Sequence, residues 1–131
     1  MIEYKYDLTG SCPDEKKVSI SYDNYYRITK NKELNNEDFI PQYWTQPHHR
    51  AVKFKGKECE YQGLSCFATF EEAKNMLDRY GALGNHIYKA ENLERYATIK
   101  DIGKGKYPTH VNVYVYKNVE EAKDIVWELK E

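Results

Sequence analysis

The sequence predicts an α+β fold: a small curved sheet, antiparallel or mixed and split-barrel-like, of about six strands with two main amphipathic helices. Short stretches of alternating apolar residues, such as VNVYVY at 111–116, are typical of strands. Two longer stretches place apolar residues at helical spacing behind a capping residue. These helices are too few and too far apart for a doubly wound parallel sheet. The length of 131 residues fits a single domain, 1–131.

The N-terminal part of the chain predicts short strands joined by polar turns. Residues 1–17 begin with the alternating IEYKYDL, a possible edge strand, and continue as a polar loop. VSISY at 18–22 and YYRIT at 25–29 are both strand-like, and the Asp23-Asn24 pair between them favours a turn. This arrangement predicts a hairpin or a bent strand.

A brief helix and a long loop follow. NNEDF at 35–39 has an asparagine cap, acidic residues for the first turn and Pro41 as its limit. Residues 41–57 show no apolar periodicity, which predicts a long loop. The loop contains QYWTQPHHR, where two of the four histidines and one of the two tryptophans lie close together. Long loops in compact domains are often functional or mobile.

The strongest local signal is GLSCFATFEEAKNMLDRYG at 63–81, which predicts a strand, a turn and a helix. Thr69 is placed to cap the helix, Glu72 follows three residues later as in a capping box, and Gly81 is suited to the end. The apolar face of this helix consists of Phe70, Ala73, Met76, Leu77 and Tyr80.

The C-terminal part predicts three more strands and the second helix. The strand-like stretches are 85–91, 95–103 and 111–116. NVEEAKDIVWELKE at 118–131 begins with Asn118 as a cap and has the same apolar spacing as the first helix. Both helices contain EEAK at the same phase. Capped amphipathic helices converge on such sequences, so convergence is favoured over a duplicated strand–helix unit.

Composition limits the classes of partner. Lys and Arg number 20 against 21 Asp and Glu, which gives a formal net charge of −1 and an isoelectric point near 6.4. Proteins that bind phosphate backbones usually carry a basic excess, so nucleic acid is not expected as a partner. Although 31% of the residues are charged, aromatic residues at 15% indicate a folded chain.

The cysteines and histidines predict neither a disulfide framework nor a metal site. Cys12, Cys59 and Cys66 are odd in number and lack CxxC spacing. The sequence has no apolar run of membrane-helix length and no signal peptide, so reduced thiols in a cytoplasmic protein are expected. His48 and His49 are adjacent, and the chain has no HxxxH or HxxE pair that would bind a metal ion.

Three polar residues in strand-like surroundings are candidate site residues. Arg27 within YYRIT either faces solvent or points into a polar cleft, where its planar fork suits a carboxylate or a diphosphate. Ser65 lies in QGLSCF, and a small hydroxyl beside a glycine indicates either a close approach to the backbone or tight strand packing. His110 stands where the best strand begins, facing either a cleft or a solvated turn.

In order, YYRITKN, NNEDF, QGLSCFATFEEAKNM, LGNHIYKAE and a strand start with a histidine resemble small bacterial domains of the ADP-ribosyltransferase-like (RES-like) type. The resemblance covers roughly residues 22–126. It implies an NAD cleft in which Arg27 anchors the diphosphate and Ser65 positions a ribose. No QxE or ExE motif is recognised for the third element, the final strand offers only His110, Asn112 or Glu120, and a relative that binds without catalysis is an alternative.

The resemblance also gives the long loop a role. Tyr43 or Trp44 would stack on the nicotinamide ring, and His48, His49 and Arg50 would meet phosphates. Without the resemblance, Trp44 anchors a solvated loop. The other hypothesis is a non-enzymatic interaction or inhibitor protein of phage or mobile-element type, which binds a protein partner through an aromatic surface patch.

Overall fold

The structure, a computed structural model, describes residues 2–131 and contains two three-stranded antiparallel sheets. The strands are β1 (Tyr25–Thr29), β2 (Leu64–Cys66), β3 (His86–Ala90), β4 (Ala97–Asp101), β5 (Val111–Val115) and β6 (Glu128–Leu129). One sheet has the order β1-β3-β6 and the other β2-β5-β4. Tyr26 of β1 and Phe67, directly after β2, exchange two main-chain hydrogen bonds of 2.6 and 2.9 Å. The two sheets are therefore joined through a single bridge.

The β structure is best described as one split layer of order β4-β5-β2-β1-β3-β6. Its strand pairs are antiparallel, and the described strands do not close into a barrel. The predicted α+β class with six strands is confirmed. Because β5 lies at the centre of its sheet and is covered on both sides, all five of its residues are buried.

The helices are short except for one. They are α1 (Gln42–Thr45), α2 (Glu58–Gln62), α3 (Phe70–Arg79) and α4 (Glu121–Asp124). Single 3-10 turns occur at Asn36–Phe39, Pro47–His49, Gly81–Leu83 and Leu93–Arg95. The helix predicted after Thr69 is confirmed as α3, and the brief helix predicted for NNEDF is the first 3-10 turn, capped by Asn35. Across residues 2–131, no helix has the length and apolar character needed to cross a membrane.

Apolar side chains form two clusters, one on each side of β1. The larger cluster has as its buried members Tyr25, Phe39, Leu64, Cys66, Ala90, Leu93, Ala97, Ile99, Val111, Val113, Val115 and Ile125. The smaller one packs under α3 and has as its buried members Phe67, Ala73 and Ile87. Neighbouring side chains on a strand point to opposite faces, so Tyr25 enters the larger cluster while Tyr26 packs against the smaller one.

The hairpin predicted for 18–22 and 25–29 does not form. Ser19 makes an isolated bridge to β4, whereas Tyr25 pairs with β3 in the other sheet. Both segments are extended, as their patterns predict, but each pairs with a distant strand. An isolated two-stranded ribbon is marginally stable, and pairing with a sheet that already has a covered face buries more apolar surface.

The segment at the N-terminus is tied to the sheet rather than forming a strand of its own. Within the described part of 1–17, Tyr4 makes an isolated bridge with Tyr116 at the end of β5. Its hydroxyl also hydrogen-bonds Thr98 of β4 at 2.9 Å. Lys5 forms an ion pair with the buried carboxylate of Glu121 and donates to the carbonyl oxygen of Val119 at 3.0 Å. The predicted edge strand is thus reduced to one bridge, followed by the predicted polar loop.

The helix predicted for 118–131 is wrong beyond one turn. Only α4 is helical, and no side chain caps its first turn. The chain then extends, and β6 pairs with β3. Trp127 lies with its ring centroid 5.3 Å from that of Phe39 and donates from Nε1 to the carbonyl oxygen of Glu121 at 3.1 Å. These tertiary contacts outweigh the helical propensity of the stretch, which is worth only tenths of a kcal/mol per residue.

The expectation of reduced thiols is wrong for two of the three cysteines. Cys12 and Cys59 form a disulfide across 47 positions of sequence, while Cys66 is free and buried. Thr9 and Gln62 bring the two segments together, because the main-chain N–H of Thr9 donates to Gln62 Oε1 at 2.9 Å and Gln62 Nε2 donates to Thr9 Oγ1 at 2.6 Å. Spacing in the sequence does not reveal this contact.

Candidate functional site

The sheet brings Ser65 and His110 into direct contact, although 45 positions separate them in the sequence. Ser65 lies on β2 directly opposite Asn112 of β5. Opposed residues share a face of the sheet, and His110, two positions before Asn112, lies on that same face. Ser65 Oγ and His110 Nε2 are 2.5 Å apart. The pair is therefore a consequence of the β2–β5 register.

The imidazole of His110 is largely buried and neutral. Its ring stacks on Phe67 with a centroid distance of 4.7 Å and an interplanar angle of 20°. Burial lowers the pKa of His110 to about 4, and the nearby Glu72 carboxylate only partly opposes this effect. A neutral imidazole whose Nε2 is unprotonated accepts a hydrogen bond from a serine hydroxyl. Because so low a pKa makes a weak base at neutral pH, the contact favours orienting the hydroxyl over removing its proton.

Glu72 holds the turn that carries His110. Its Oε1 accepts the main-chain N–H of Thr109 at 2.9 Å, and its Oε2 accepts from the hydroxyls of Thr109 and of Thr69, the latter at 2.9 Å. Thr109 Oγ1 in turn accepts the N–H of Ala68 at 3.0 Å. The first turn of α3 therefore fixes the entrance of β5 and the position of the imidazole.

Arg27 lies beside Ser65 but contacts its main chain rather than its hydroxyl. Nε and Nη2 of Arg27 donate to the carbonyl oxygen of Asp38 at 3.1 and 2.7 Å, and Nη1 donates to that of Ser65 at 3.0 Å. The guanidinium lies next to Cys66, and desolvation lowers the pKa of Arg27. Cys66 and Ser65 point to opposite faces of β2, so Arg27 and the Ser65 hydroxyl lie on opposite sides of the strand.

A polar cleft of about 280 Å³ opens on the same face of the sheet as Ser65 and His110. We call it the lysine cleft; it is lined by Asp14, Lys17, Gly56, Lys57, Glu58, Cys59, Glu60, Lys100, Ile102, Asn112 and Tyr114. Ser65, Asn112 and Lys100 are directly opposed on β2, β5 and β4. The cleft therefore begins one strand away from the Ser65–His110 pair, and three lysines and three carboxylates line it.

The long loop predicted at 41–57 contains no strand, but it is more ordered than the sequence indicates. It contains α1 and a 3-10 turn, and its aromatic side chains pack locally. Trp44 stacks on Tyr6 with ring centroids 4.5 Å apart. The guanidinium carbon of Arg50 lies 4.3 Å from the ring centroid of Tyr43. Trp44 is thus held by Tyr6 and Arg50 by Tyr43, and only the C-terminal end of the loop reaches the lysine cleft.

The histidines of the loop do not join the Ser65–His110 pair. The rings of His48 and His49 are 4.0 Å apart, and His49 also lies 5.5 Å from the ring of the fully buried Phe54. The aromatic, cation–π and side-chain hydrogen-bond contacts described for the loop residues proposed to bind the cofactor are with one another, with Tyr6 and with Phe54. The part of the segment that does line a cleft begins at Gly56.

The charged residues that line the lysine cleft are not among the site residues predicted from the sequence. Asn112 lies between buried apolar residues of β5, and Lys100 follows the buried Ile99 of β4, a pattern that marks both polar residues as facing a polar space. Glu58 and Glu60 belong to an ExE pattern, but it precedes β2 instead of opening the final strand. Their convergence depends on the pairing of strands and on the Cys12–Cys59 bond.

Comparison with known proteins identifies no relative of this chain, since no family model, curated protein or solved structure matches it. Its function is therefore inferred from the contacts, burial and charges of its own residues.

Proposed function

We propose that the chain is an ADP-ribosyltransferase-like domain that binds NAD in the lysine cleft and transfers or hydrolyses ADP-ribose. The observation that carries the proposal is the 2.5 Å contact between Ser65 Oγ and His110 Nε2, on the sheet face where the lysine cleft opens. Ser65 positions a ribose hydroxyl, and the neutral His110 holds the serine hydroxyl in one orientation. The sequence resemblance independently assigns Ser65 to the ribose.

The charges of the cleft suit this substrate. NAD carries an anionic diphosphate and a cationic nicotinamide ring, and the cleft offers both lysines and carboxylates. Lysine ammonium groups bind phosphate as point charges. A volume of about 280 Å³ lies just below the range of ligand-sized pockets, roughly 300–1,000 Å³, so the cleft accommodates part of a dinucleotide and leaves the remainder at the surface.

The proposed reaction breaks the bond between nicotinamide and the ribose carbon. Positive charge develops on the ribose as this bond lengthens, and a carboxylate stabilises such charge in a site with little water. Glu58 and Glu60 are the carboxylates of the cleft that follow the long loop, and we assign this role to Glu60. Nicotinamide leaves with the electron pair of the broken bond, and water or a nucleophilic group of the target bonds to the ribose carbon and releases its proton to solvent.

The role of Arg27 in the proposal differs from that implied by the resemblance. Its three described hydrogen bonds go to main-chain carbonyl groups, so it braces β2 from behind and keeps Ser65 in place. In place of Arg27, the lysines of the cleft bind the diphosphate; one of them, Lys100, lies directly opposite Asn112.

The alternative, an interaction protein that acts through an aromatic surface patch, has less support. Within residues 2–131, the large hydrophobic side chains that are exposed are Ile2, Val18, Val52, Tyr80, Val126 and Leu129. Tyr80 is the one aromatic residue among them, whereas Tyr43 and Trp44 are half-buried in local packing. These positions are scattered along the chain, and the cleft is the more specific feature.

Calorimetry and nicotinamide release test the proposal with matched variants. Wild type at an NAD concentration of about one hundred times the dissociation constant should gain roughly 2.7 kcal/mol of unfolding free energy. Lys100→Met should lose this gain, while Lys123→Met, at an exposed position of α4, should keep it. Ser65→Ala should bind NAD but release nicotinamide at least tenfold more slowly. The proposal fails if NAD leaves the unfolding of wild type unchanged.

A further inference from the structure

The Cys12–Cys59 disulfide connects the two walls of the lysine cleft. One wall carries Asp14 and Lys17, which follow Cys12 in the chain. The other wall is the segment from Gly56 to Glu60, which contains Cys59. The covalent bond therefore sets how far apart the two walls lie.

Residues 10–17 have few other ties to the rest of the molecule. On the N-terminal side, the two hydrogen bonds between Thr9 and Gln62 anchor the segment. On the C-terminal side, the N–H of Asp101 donates to the carbonyl oxygen of Val18 at 2.8 Å. Between these anchors, Lys100 Nζ reaches the carbonyl oxygen of Lys17 at 3.3 Å, and the remaining main-chain bonds are local turns.

The disulfide lies outside both apolar clusters, because neither Cys12 nor Cys59 belongs to the core. Cys59 has a second attachment, since the hydroxyl of Tyr114 donates to its carbonyl oxygen at 2.8 Å. Without the disulfide, α2 thus stays attached to β5, whereas residues 10–17 lose their central tether. Opening the disulfide would therefore free the wall formed by residues 10–17 without removing a residue from either apolar cluster.

We propose that the disulfide is a redox gate of the lysine cleft: oxidised, it closes the walls around the ligand; reduced, it lets residues 10–17 move away and weakens binding. This inference rests on the proposed function for the identity of the ligand. A thiolate of a dithiol reductant attacks one sulfur of the bond and forms a mixed disulfide. Its second thiolate then resolves the mixed disulfide, which leaves Cys12 and Cys59 as thiols and the reductant as its own disulfide.

The gate agrees with the compartment that the sequence predicts. Disulfides of cytoplasmic proteins are usually transient and serve catalysis or redox sensing. A bond that closes a cleft and spares the core suits that kind of use, because the chain stays folded in both states. The cytoplasmic location stays a prediction from the sequence, and the regulatory role of the bond rests on its place at the cleft.

Hydrogen exchange measured by mass spectrometry tests the gate without any ligand. Peptides covering 9–17 should exchange at least tenfold faster after reduction with dithiothreitol, while peptides of α3 and β5 should keep their rates. The double variant Cys12→Ser/Cys59→Ser should exchange like the reduced protein and should not respond to dithiothreitol. Equal rates for 9–17 in both redox states, or faster exchange throughout the chain, would overturn the proposal.

Binding of ADP-ribose, measured by calorimetry, tests the consequence for the site. The dissociation constant should rise at least tenfold on reduction of wild type and should not change with reductant in the double variant. If exchange responds to reduction and ADP-ribose binds to neither state, the gate stands and the proposed function fails. If ADP-ribose binds equally well to both states, the proposed function stands and the gate is wrong.

Discussion

Arg27 illustrates how the surrounding main chain can satisfy a charged side chain within a strand. Burying a guanidinium is costly unless its N–H groups find acceptors, and the carbonyl oxygens of Asp38 and Ser65 provide them. The arginine thereby links β1, β2 and the 3-10 turn at Asn36–Phe39. Replacing Arg27 with alanine would disturb the strand itself, so Lys100 and Ser65 are the better positions for testing the proposed NAD binding.

His110 should make the stability of the protein depend on pH. Its pKa is lowered from 6.5 to about 4 because burial disfavours the charged imidazole. The stabilising contribution is therefore complete above pH 6.5 and is lost as the pH falls from 6.5 toward 4. We expect a loss on the order of 2 kcal/mol over this window, which is less than the full shift implies because the ring is not completely buried. Urea unfolding of wild type at several pH values measures it.

The variant that tests this prediction is His110→Gln. It removes the titrating group, so its unfolding free energy should fall less between pH 6.5 and 4. Identical pH profiles for wild type and His110→Gln would show that the imidazole titrates normally.

Among the elements, α3 could be predicted because its signals are local. Thr69, Glu72 and the apolar spacing lie within one short stretch, and the structure uses the first two as cap and partner. The C-terminal stretch has similar local signals, yet its end forms β6, because pairing with β3 is available there. The segments 18–22 and 25–29 likewise pair with strands that are distant in sequence. Local patterns gave the type of most elements, and tertiary pairing decided the rest.

Glu71 and Glu72 offer a matched pair for testing how α3 positions the site. Glu72→Ala should lower the unfolding free energy by about 2–3 kcal/mol, because the partly buried N–H of Thr109 and two hydroxyls lose their acceptor. Glu71→Ala, at an exposed position in the same helical turn, should cost only a few tenths of a kcal/mol through the helix dipole. Chemical denaturation measures both losses of unfolding free energy. Equal losses would contradict the role of Glu72 in holding the turn before β5.

The candidate site was predictable in part, residue by residue. Ser65 and His110 each stood out in the sequence through their position in or before a strand. Their contact depends on the register between β2 and β5, which no local pattern specifies. The aromatic and basic residues of QYWTQPHHR were conspicuous because they are clustered, but the structure packs Trp44 against Tyr6 instead. The composition of this segment indicated a loop, but it could not indicate which residues the loop contacts.

For the whole molecule, Lys5 and Glu121 fasten the two ends of the chain to one another. Glu121 is almost completely buried, whereas Lys5 remains about one-quarter exposed. Lys5→Met should cost about 2–3 kcal/mol, since it leaves a buried carboxylate unpaired, with some discount for the exposure of the lysine. The double variant Lys5→Met/Glu121→Leu should recover most of this loss, because an apolar pair needs no charge partner. Thermal and chemical unfolding of the single and double variants measure both effects.

Lys117→Met provides the control for that experiment. Lys117 forms an exposed ion pair with Glu3 at 3.5 Å, and such surface pairs contribute less than about 1 kcal/mol. A double variant as unstable as Lys5→Met would show that the loss in Lys5→Met does not come from an unpaired buried carboxylate.

The Lys5–Glu121 pair also constrains how the chain acquires its structure during translation. Glu121 is synthesised 116 residues after Lys5. Ribosomes add roughly 5–20 residues per second, so this delay is on the order of 10 s. Thr98, the hydrogen-bond partner of Tyr4, is synthesised 94 residues after it, which is a delay of similar length. Until Thr98 and Glu121 have been synthesised, Tyr4 and Lys5 lack these native partners, so the first residues of a nascent chain still attached to the ribosome are open to chaperones.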